Sequence, residues 1–113
     1  MTTVRIKLPT IQQVKFVLSA EQDDLEIRGS FDSGDEDLDE QTALDIEKKL
    51  EYTEWAWACV KMECHWKGLT GTDYLGGCSY EDEKDFIEHS GYYEDMKQTA
   101  YADLIQQIKD LKA

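Results

Sequence analysis

The sequence predicts a small α+β domain in which an antiparallel sheet of about four to five strands packs against two or three helices. Several short segments alternate apolar and polar residues with a period of two, which is typical of half-buried strands. Two longer segments repeat apolar residues every three or four positions, which is typical of amphipathic helices. The 113 residues are 41% hydrophobic. This content suffices for one core and predicts a single acidic domain over residues 1–113.

The N-terminal part predicts three strands arranged as a meander. Residues 4–8 alternate apolar side chains with bases, and Pro9, the only proline, ends this segment or places it at a sheet edge. Residues 14–18 form a short apolar run that contains β-branched and aromatic side chains, which favours a second strand. Residues 25–31 alternate again and predict the third strand.

An acidic loop over residues 32–40 leads into the first predicted helix, residues 38–51. Asp37 or Asp39 can cap this helix by accepting a hydrogen bond from an otherwise unpaired N–H group. Acidic side chains in the first turn also interact favourably with the positive end of the helix dipole. The predicted apolar stripe consists of Ala43, Ile46 and Leu50.

The clearest strand pattern covers residues 55–67. Its second half alternates strictly, whereas its first half is apolar on both faces and is expected to be covered on both sides. A turn is predicted over residues 68–71, followed by a returning strand over residues 72–75. The glycine pair 76–77 is expected to break or bulge that strand.

The C-terminal part predicts two helices. Ser79 followed by Asp82 resembles a helix-start box and predicts a short helix that reaches about Glu88. Ser90 and Gly91 are expected to end it. The last helix is predicted over about residues 92–111, where apolar residues recur at spacings of three and four and would dock on the sheet.

The net charge of −13 is the most informative feature of the composition. Residues 21–54 carry 14 acids and three bases, so most of this charge lies in one third of the chain. A field of one sign repels nucleic acid and anionic membranes and accelerates encounters with positive surfaces. The sequence therefore indicates a binding protein directed at a basic partner, with no direct binding of nucleic acid or membrane.

The expected compartment is the cytoplasm. No apolar run approaches the roughly 20 residues that a transmembrane helix requires, and the first residues lack the apolar core of a signal peptide. The three cysteines are an odd number, which favours free thiols in a reducing compartment.

The predicted contact surface has two parts. Carboxylates three or four residues apart on a helix lie about 5–6 Å apart, which is comparable to the spacing of phosphates along a nucleic-acid strand. A row of such carboxylates could occupy a groove that normally binds DNA or RNA. The first part, the acidic belt, consists of Asp32, Asp35, Glu36, Asp37, Asp39, Glu40, Glu47 and Glu51. The second part, the second acidic patch, consists of Glu81, Asp82, Glu83 and Asp85.

The alternative is an interaction module that does not mimic nucleic acid and whose acidity serves only solubility. Such a module would bind through aromatic and hydrophobic surface. Aromatic side chains could also stack on nucleic-acid bases, but that mode requires a basic groove, and the charge of this chain has the opposite sign. Core packing is therefore the favoured role of the aromatic group, which comprises Trp55, Trp57, Trp66, Tyr74, Tyr80, Tyr92 and Tyr93.

Calcium binding is disfavoured by the sequence. Asp35, Asp37 and Asp39 have the alternate spacing of a calcium loop, but the sixth position is Glu40 rather than glycine. The twelfth position is Ile46 rather than a glutamate. No metal site is predicted here.

Zinc binding and catalysis are disfavoured for similar reasons. Cys59, Cys64, His65 and Cys78 lack a CxxC spacing, and adjacent residues of a strand point to opposite faces. A cysteine–histidine pair is conceivable, but no nucleophile motif accompanies it. His89 near a helix end is explained by the helix dipole. We predict no enzyme activity, no catalytic residue and no cofactor.

Several short strings in the C-terminal half resemble small accessory proteins encoded by bacteriophages and other mobile elements. These strings are 55–57, 73–80, 85–86 and 91–96. In size and acidity the chain is also similar to phage inhibitors of host defence, including anti-CRISPR and anti-restriction proteins, several of which mimic nucleic acid. The resemblance implies an inhibitor that occupies the nucleic-acid channel of a host defence complex in the bacterial cytoplasm, and it implies no catalytic residue.

Overall fold

The computed structural model describes residues 7–27 and 30–111. Within these residues the chain forms an α+β fold of three strands and three α-helices. A single 3₁₀ turn, Glu54–Ala56, precedes the second strand. In chain order the elements are β1 (Lys15–Gln22), α1 (Glu36–Lys49), β2 (Ala58–Trp66), β3 (Leu69–Cys78), α2 (Glu83–His89) and α3 (Tyr93–Leu111).

The sheet is antiparallel and its strand order is β1-β2-β3. Strand β1 is aligned with β2 without interruption, from the pair Lys15–His65 to the pair Gln22–Ala58. Strand β3 pairs with the other edge of β2, and the ladder shifts register between Ala58 and Val60. This irregularity lies opposite the glycine pair 76–77, as the sequence predicts.

The β2–β3 hairpin turns at Lys67 and Gly68, one residue before the predicted turn. Both residues have positive φ angles, 47° and 80°. This combination is typical of the type I′ turn, which matches the twist of antiparallel strands. Because the turn is only two residues long, Leu69 already belongs to β3 and pairs with Trp66.

The core lies between the sheet and α3. Val60, Met62 and Cys64 alternate along β2 and are completely buried. The apolar stripe of α3 packs on this face, so the predicted amphipathic helix is confirmed. The strand predicted over residues 55–67 is confirmed only from Ala58 to Trp66, because the 3₁₀ turn Glu54–Ala56 precedes it. The buried residues of α3 are Met96, Ala100, Leu104 and Ile108.

Helix α3 also closes the free edge of β3. The Asp103 carboxylate accepts a hydrogen bond from the Thr72 main-chain N–H (2.9 Å). One turn later the Gln107 side-chain amide donates to the Thr70 carbonyl (2.8 Å). The helix approaches this strand closely at Gly71, which has no side chain to obstruct it.

The helix starts differ in detail from the predictions. Helix α1 begins two residues early because Asp35, rather than Asp37 or Asp39, is its N-cap. Helix α2 is capped by Asp82, which accepts from the Asp85 N–H, so Ser79 takes no part in a helix-start box. In both cases an aspartate at the last extended residue satisfies an N–H group of the first turn.

Within residues 7–27 and 30–111 the sheet contains fewer strands than the sequence predicts. The strand expected over residues 25–31 is not formed by its described residues, which are held by side-chain hydrogen bonds described below. Of the strand expected over residues 4–8, residues 4–6 lie outside the described part, and residues 7 and 8 are not in a strand. Three strands are therefore found in the described part, where four to five were expected.

Candidate acidic binding surface

The predicted contact acids lie at the surface. The acidic belt follows the loop before α1, the length of α1 and the turn after it, while the second acidic patch surrounds the start of α2. Ten of the twelve side chains are exposed, and Asp39 and Asp85 are half-buried. Each carboxylate can therefore be reached from solvent.

Helix α1 arranges three of these acids in one row. Because successive residues turn by about 100°, Glu36, Glu40 and Glu47 fall within an arc of about 40°. Glu36 and Glu47 are eleven residue steps apart, so the row is about 16 Å long along the helix axis. It runs beside the buried stripe of α1, which contains Ala43 and Ile46.

Two acids of the belt have fixed positions in the loop before α1. The Asp35 carboxylate accepts hydrogen bonds from the N–H groups of Asp37 (3.1 Å) and Leu38 (3.2 Å). Asp39 accepts from the Ser33 hydroxyl (2.6 Å) and from the Ser33 N–H. These bonds hold residues 33–39 as a closed unit and leave the two carboxylates with little freedom to reorient.

The second acidic patch is organised in the same way. The Asp82 carboxylate accepts from the Asp85 N–H (2.8 Å). Asp85 in turn accepts from the Glu81 N–H (3.0 Å) and pairs with the His89 ring (2.9 Å). The hydrogen bond from Glu81 and the contact with His89 both lower the pKa of Asp85, which keeps this carboxylate ionised.

Lys49 joins the two acidic surfaces. Its Nζ lies 2.5 Å from Glu81 Oε1, although the two residues are 32 positions apart in sequence. This hydrogen bond to Glu81 raises the pKa of Lys49, and the nearby charge of Asp45 acts in the same direction. The last turn of α1 and the start of α2 are therefore held side by side.

Two further acids border the belt and were missed by the sequence reasoning. Glu21 at the end of β1 and Glu54 in the 3₁₀ turn line a surface crevice together with Glu51. The crevice has a volume of about 540 Å³ and separates residues 20–22 from residues 50–54. The pairing of β1 with β2 brings these carboxylates together, and no local sequence pattern signals it.

Asp23 was also missed, and its role is structural. Its two carboxylate oxygens accept from the N–H groups of Leu25 (2.9 Å) and Gly77 (2.7 Å). These bonds, that of Gly77 first, lower the pKa of Asp23. The Trp57 indole N–H donates to the Leu25 carbonyl (2.8 Å). The segment after β1 is thus anchored to the bulge of β3, as a loop rather than as a strand.

The cysteines are free and do not form a ligand group. Cys64 and Cys78 are buried, and Cys59 is half-buried. Burial, together with nearby negative charge, raises the pKa of Cys78 to about 11. His65 lies on the face of β2 opposite to Cys64, where it contacts Glu63 (3.3 Å). Among the described residues, no group of three or more potential ligands could hold a metal ion.

Comparison of the chain with protein-family models, curated proteins and solved structures finds no match. None of the helices within residues 7–27 and 30–111 has the length and apolar character needed to cross a membrane.

Proposed function

We propose that this protein inhibits a host nucleic-acid-binding complex by covering the basic surface that normally binds DNA or RNA. The observation that carries the proposal is the exposure of the acidic belt and the second acidic patch on ordered elements. The defence complexes implied by the resemblance to phage inhibitors are the proposed target class. The protein acts as a stoichiometric binder and performs no chemistry.

The dimensions of the α1 row support this proposal. A row of about 16 Å corresponds to about five nucleotide steps at an axial rise of about 3.4 Å each. Along the helix axis Glu40 lies about 6 Å from Glu36 and about 10 Å from Glu47, so the three carboxylates would meet arginine and lysine side chains that bind about every second or third phosphate. Arginine–carboxylate pairs that lose water on binding supply affinity, and the long-range field mainly raises the association rate.

The hydrogen bonds inside the acidic surfaces support it further. The carboxylates of Asp35, Asp39, Asp82 and Asp85 accept hydrogen bonds from backbone N–H groups, which fix their positions. Binding a partner through carboxylates that are already fixed loses less side-chain entropy than binding through free ones. The same bonds make these four aspartates unsuitable for testing the binding of a partner, because their replacement would also destabilise the helix starts.

The test neutralises belt acids that hold no cap. In the triple variant Glu36→Gln, Asp37→Asn, Glu40→Gln, the charge changes by three at the start of α1. The matched control, Glu94→Gln, Asp95→Asn, Asp110→Asn, makes the same change on exposed positions of α3. Tagged proteins are used to capture partners from a bacterial lysate at low and high salt.

The proposal expects the wild-type protein and the control to capture a nucleic-acid-binding complex. This capture should weaken between about 0.05 M and about 0.5 M NaCl, where screening shortens the range of charge interactions. Added DNA or RNA should compete, and the belt variant should lose most of the capture. Capture that is insensitive to salt, nucleic acid and the belt variant would refute the proposal. Exposed aromatics such as Tyr52 (75% exposed) and Tyr92 (50% exposed) would then be the surface to vary.

A further inference from the structure

The two edges of the sheet differ in one respect. The edge of β3 is closed, because Asp103 and Gln107 of α3 bond to its main-chain groups at Thr72 and Thr70. At the outer edge of β1, by contrast, no described residue bonds to the main chain. In the part of the chain that the structure describes, residues 15–21 make no main-chain hydrogen bond outside the ladder with β2.

Strand β1 also lacks two of the features that protect an open edge, a bulge and a proline, although charged Lys15 and Glu21 lie at its ends. Its eight residues pair with β2 in one unbroken register, without a bulge or a proline. Phe16 and Leu18 are only half-buried on the core side, at the margin of the sheet. An unprotected edge of this length is a template for pairing with another strand.

We propose that two copies of the chain pair antiparallel through β1, with the two-fold axis at Leu18. The two three-stranded sheets then form one sheet of six strands. In an antiparallel ladder, the side chains of two paired residues point to the same face of the sheet. Side chains alternate between the faces along a strand, so when β1 pairs with a second copy of itself, the numbers of two paired residues differ by an even number. The register centred on Leu18 meets this condition and aligns residues 15–21 with themselves.

Charge complementarity favours this register and favours a second copy of the chain as the partner of β1. Lys15 of one copy lies opposite Glu21 of the other, twice by symmetry, and both residues are exposed. Beyond Glu21 the acidic crevice continues with Glu51 and Glu54. On the core side, Phe16 lies opposite Ala20, and Leu18 meets its own copy.

The net charge sets the salt dependence of this pairing. Each copy carries −13, so long-range repulsion opposes association at low salt. Raising the salt from about 0.05 M to about 0.5 M shortens the screening length from more than 10 Å to about 4 Å. Short-range strand hydrogen bonds and side-chain contacts persist under these conditions. The dimer is therefore stronger at high salt, with a dissociation constant lower by about tenfold.

Sedimentation velocity over a concentration series tests this inference. The expected result is a shift from 13.1 kDa toward twice that mass, at lower protein concentration in high salt than in low salt. A protein that stays monomeric at every concentration and in both salts would overturn the proposal. A dimer that weakens as salt is added would overturn it as well.

A charge swap tests the register. In the Glu21→Lys variant the new lysine lies opposite Lys15 of the other copy. This like-charge pair weakens the dimer by about fivefold to tenfold, even though the net charge of each copy becomes less negative. Lys15→Glu has the same effect with glutamates. The double variant restores the opposite-charge pairs and the affinity. Glu94→Lys, an exposed control on α3 with the same change in net charge as Glu21→Lys, leaves the dimer intact. Failure of the double variant to restore affinity, with circular dichroism unchanged, would overturn the β1 register.

Discussion

Replacement of Gly71 by alanine tests how closely α3 packs on β3. A Cβ atom at this position would lie 2.2 Å from the Ala100 carbonyl oxygen. It would also lie 2.5 Å from the Leu104 nitrogen and 2.9 Å from the Leu104 Cβ. The first two are main-chain atoms of a helix, so the contact cannot be relieved by rotating a side chain. The helix would have to retreat by about 1 Å to restore a normal contact distance.

The expected loss of stability is about 2 kcal/mol. Overpacking of a well-filled core costs about 1–3 kcal/mol, and the rigidity of the α3 backbone places Gly71→Ala at the upper end of this range. The change from glycine to alanine also restricts the unfolded chain, which offsets the loss by about 0.4–1 kcal/mol. With an m-value of about 1.5 kcal/mol per M, the urea midpoint should fall by more than about 1 M.

Urea unfolding followed by circular dichroism measures this change, and Gly77→Ala is the matched control. Gly77 has a positive φ angle of 67° but open space around it. Its replacement therefore costs only about 1 kcal/mol, from backbone strain. If Gly71→Ala proves as stable as Gly77→Ala or the wild type, the close approach of α3 to the sheet is not a feature of the folded protein.

Three further predictions concern the loop, the first helix and the thiols. Asp23→Asn should lose about 1 kcal/mol at pH 7 in urea unfolding. Because folding lowers the pKa of Asp23, its contribution is present above about pH 4 and is lost on further acidification, so the difference should shrink there. Asp35→Ala should lose about 1 kcal/mol and increase hydrogen exchange at the start of α1. In thiol titration of the native protein, half-buried Cys59 should react first, whereas buried Cys78, with a pKa of about 11, should react only after unfolding.

The elements with strong periodicity could be predicted from sequence. The alternation along β2 and the apolar stripe of α3 each reflect one buried face, and that face is a property of the segment itself. The segment over residues 25–31 shows where this reasoning fails. Its alternation resembles a strand, but Asp23 bonds to the Leu25 N–H and Trp57 bonds to the Leu25 carbonyl. Partners distant in sequence satisfy the backbone there, and periodicity does not reveal them.

The sequence predicts that negative charge is concentrated in the acidic surfaces. It does not predict which carboxylates cap a helix or form an ion pair there. The sequence offered Asp37 or Asp39 as the N-cap of α1, but Asp35 takes this position. Asp39 accepts instead from the Ser33 hydroxyl and N–H. The pairing of Lys49 with Glu81 depends on how α1 packs beside the start of α2, which local sequence does not encode.

The two proposals make opposite predictions for added salt. Attraction between the acidic belt and a basic partner is weakened by screening, whereas pairing between two copies of charge −13 is strengthened. The surfaces overlap at Glu51, which lines the crevice at the end of β1, while the α1 row stays outside the β1 pairing. Lys15→Glu should therefore weaken the dimer by about fivefold to tenfold and still capture the basic partner. If this variant loses both the dimer and the capture of the partner, the partner binds the dimer. If it keeps the dimer but loses the capture, Lys15 does not lie in the β1 interface.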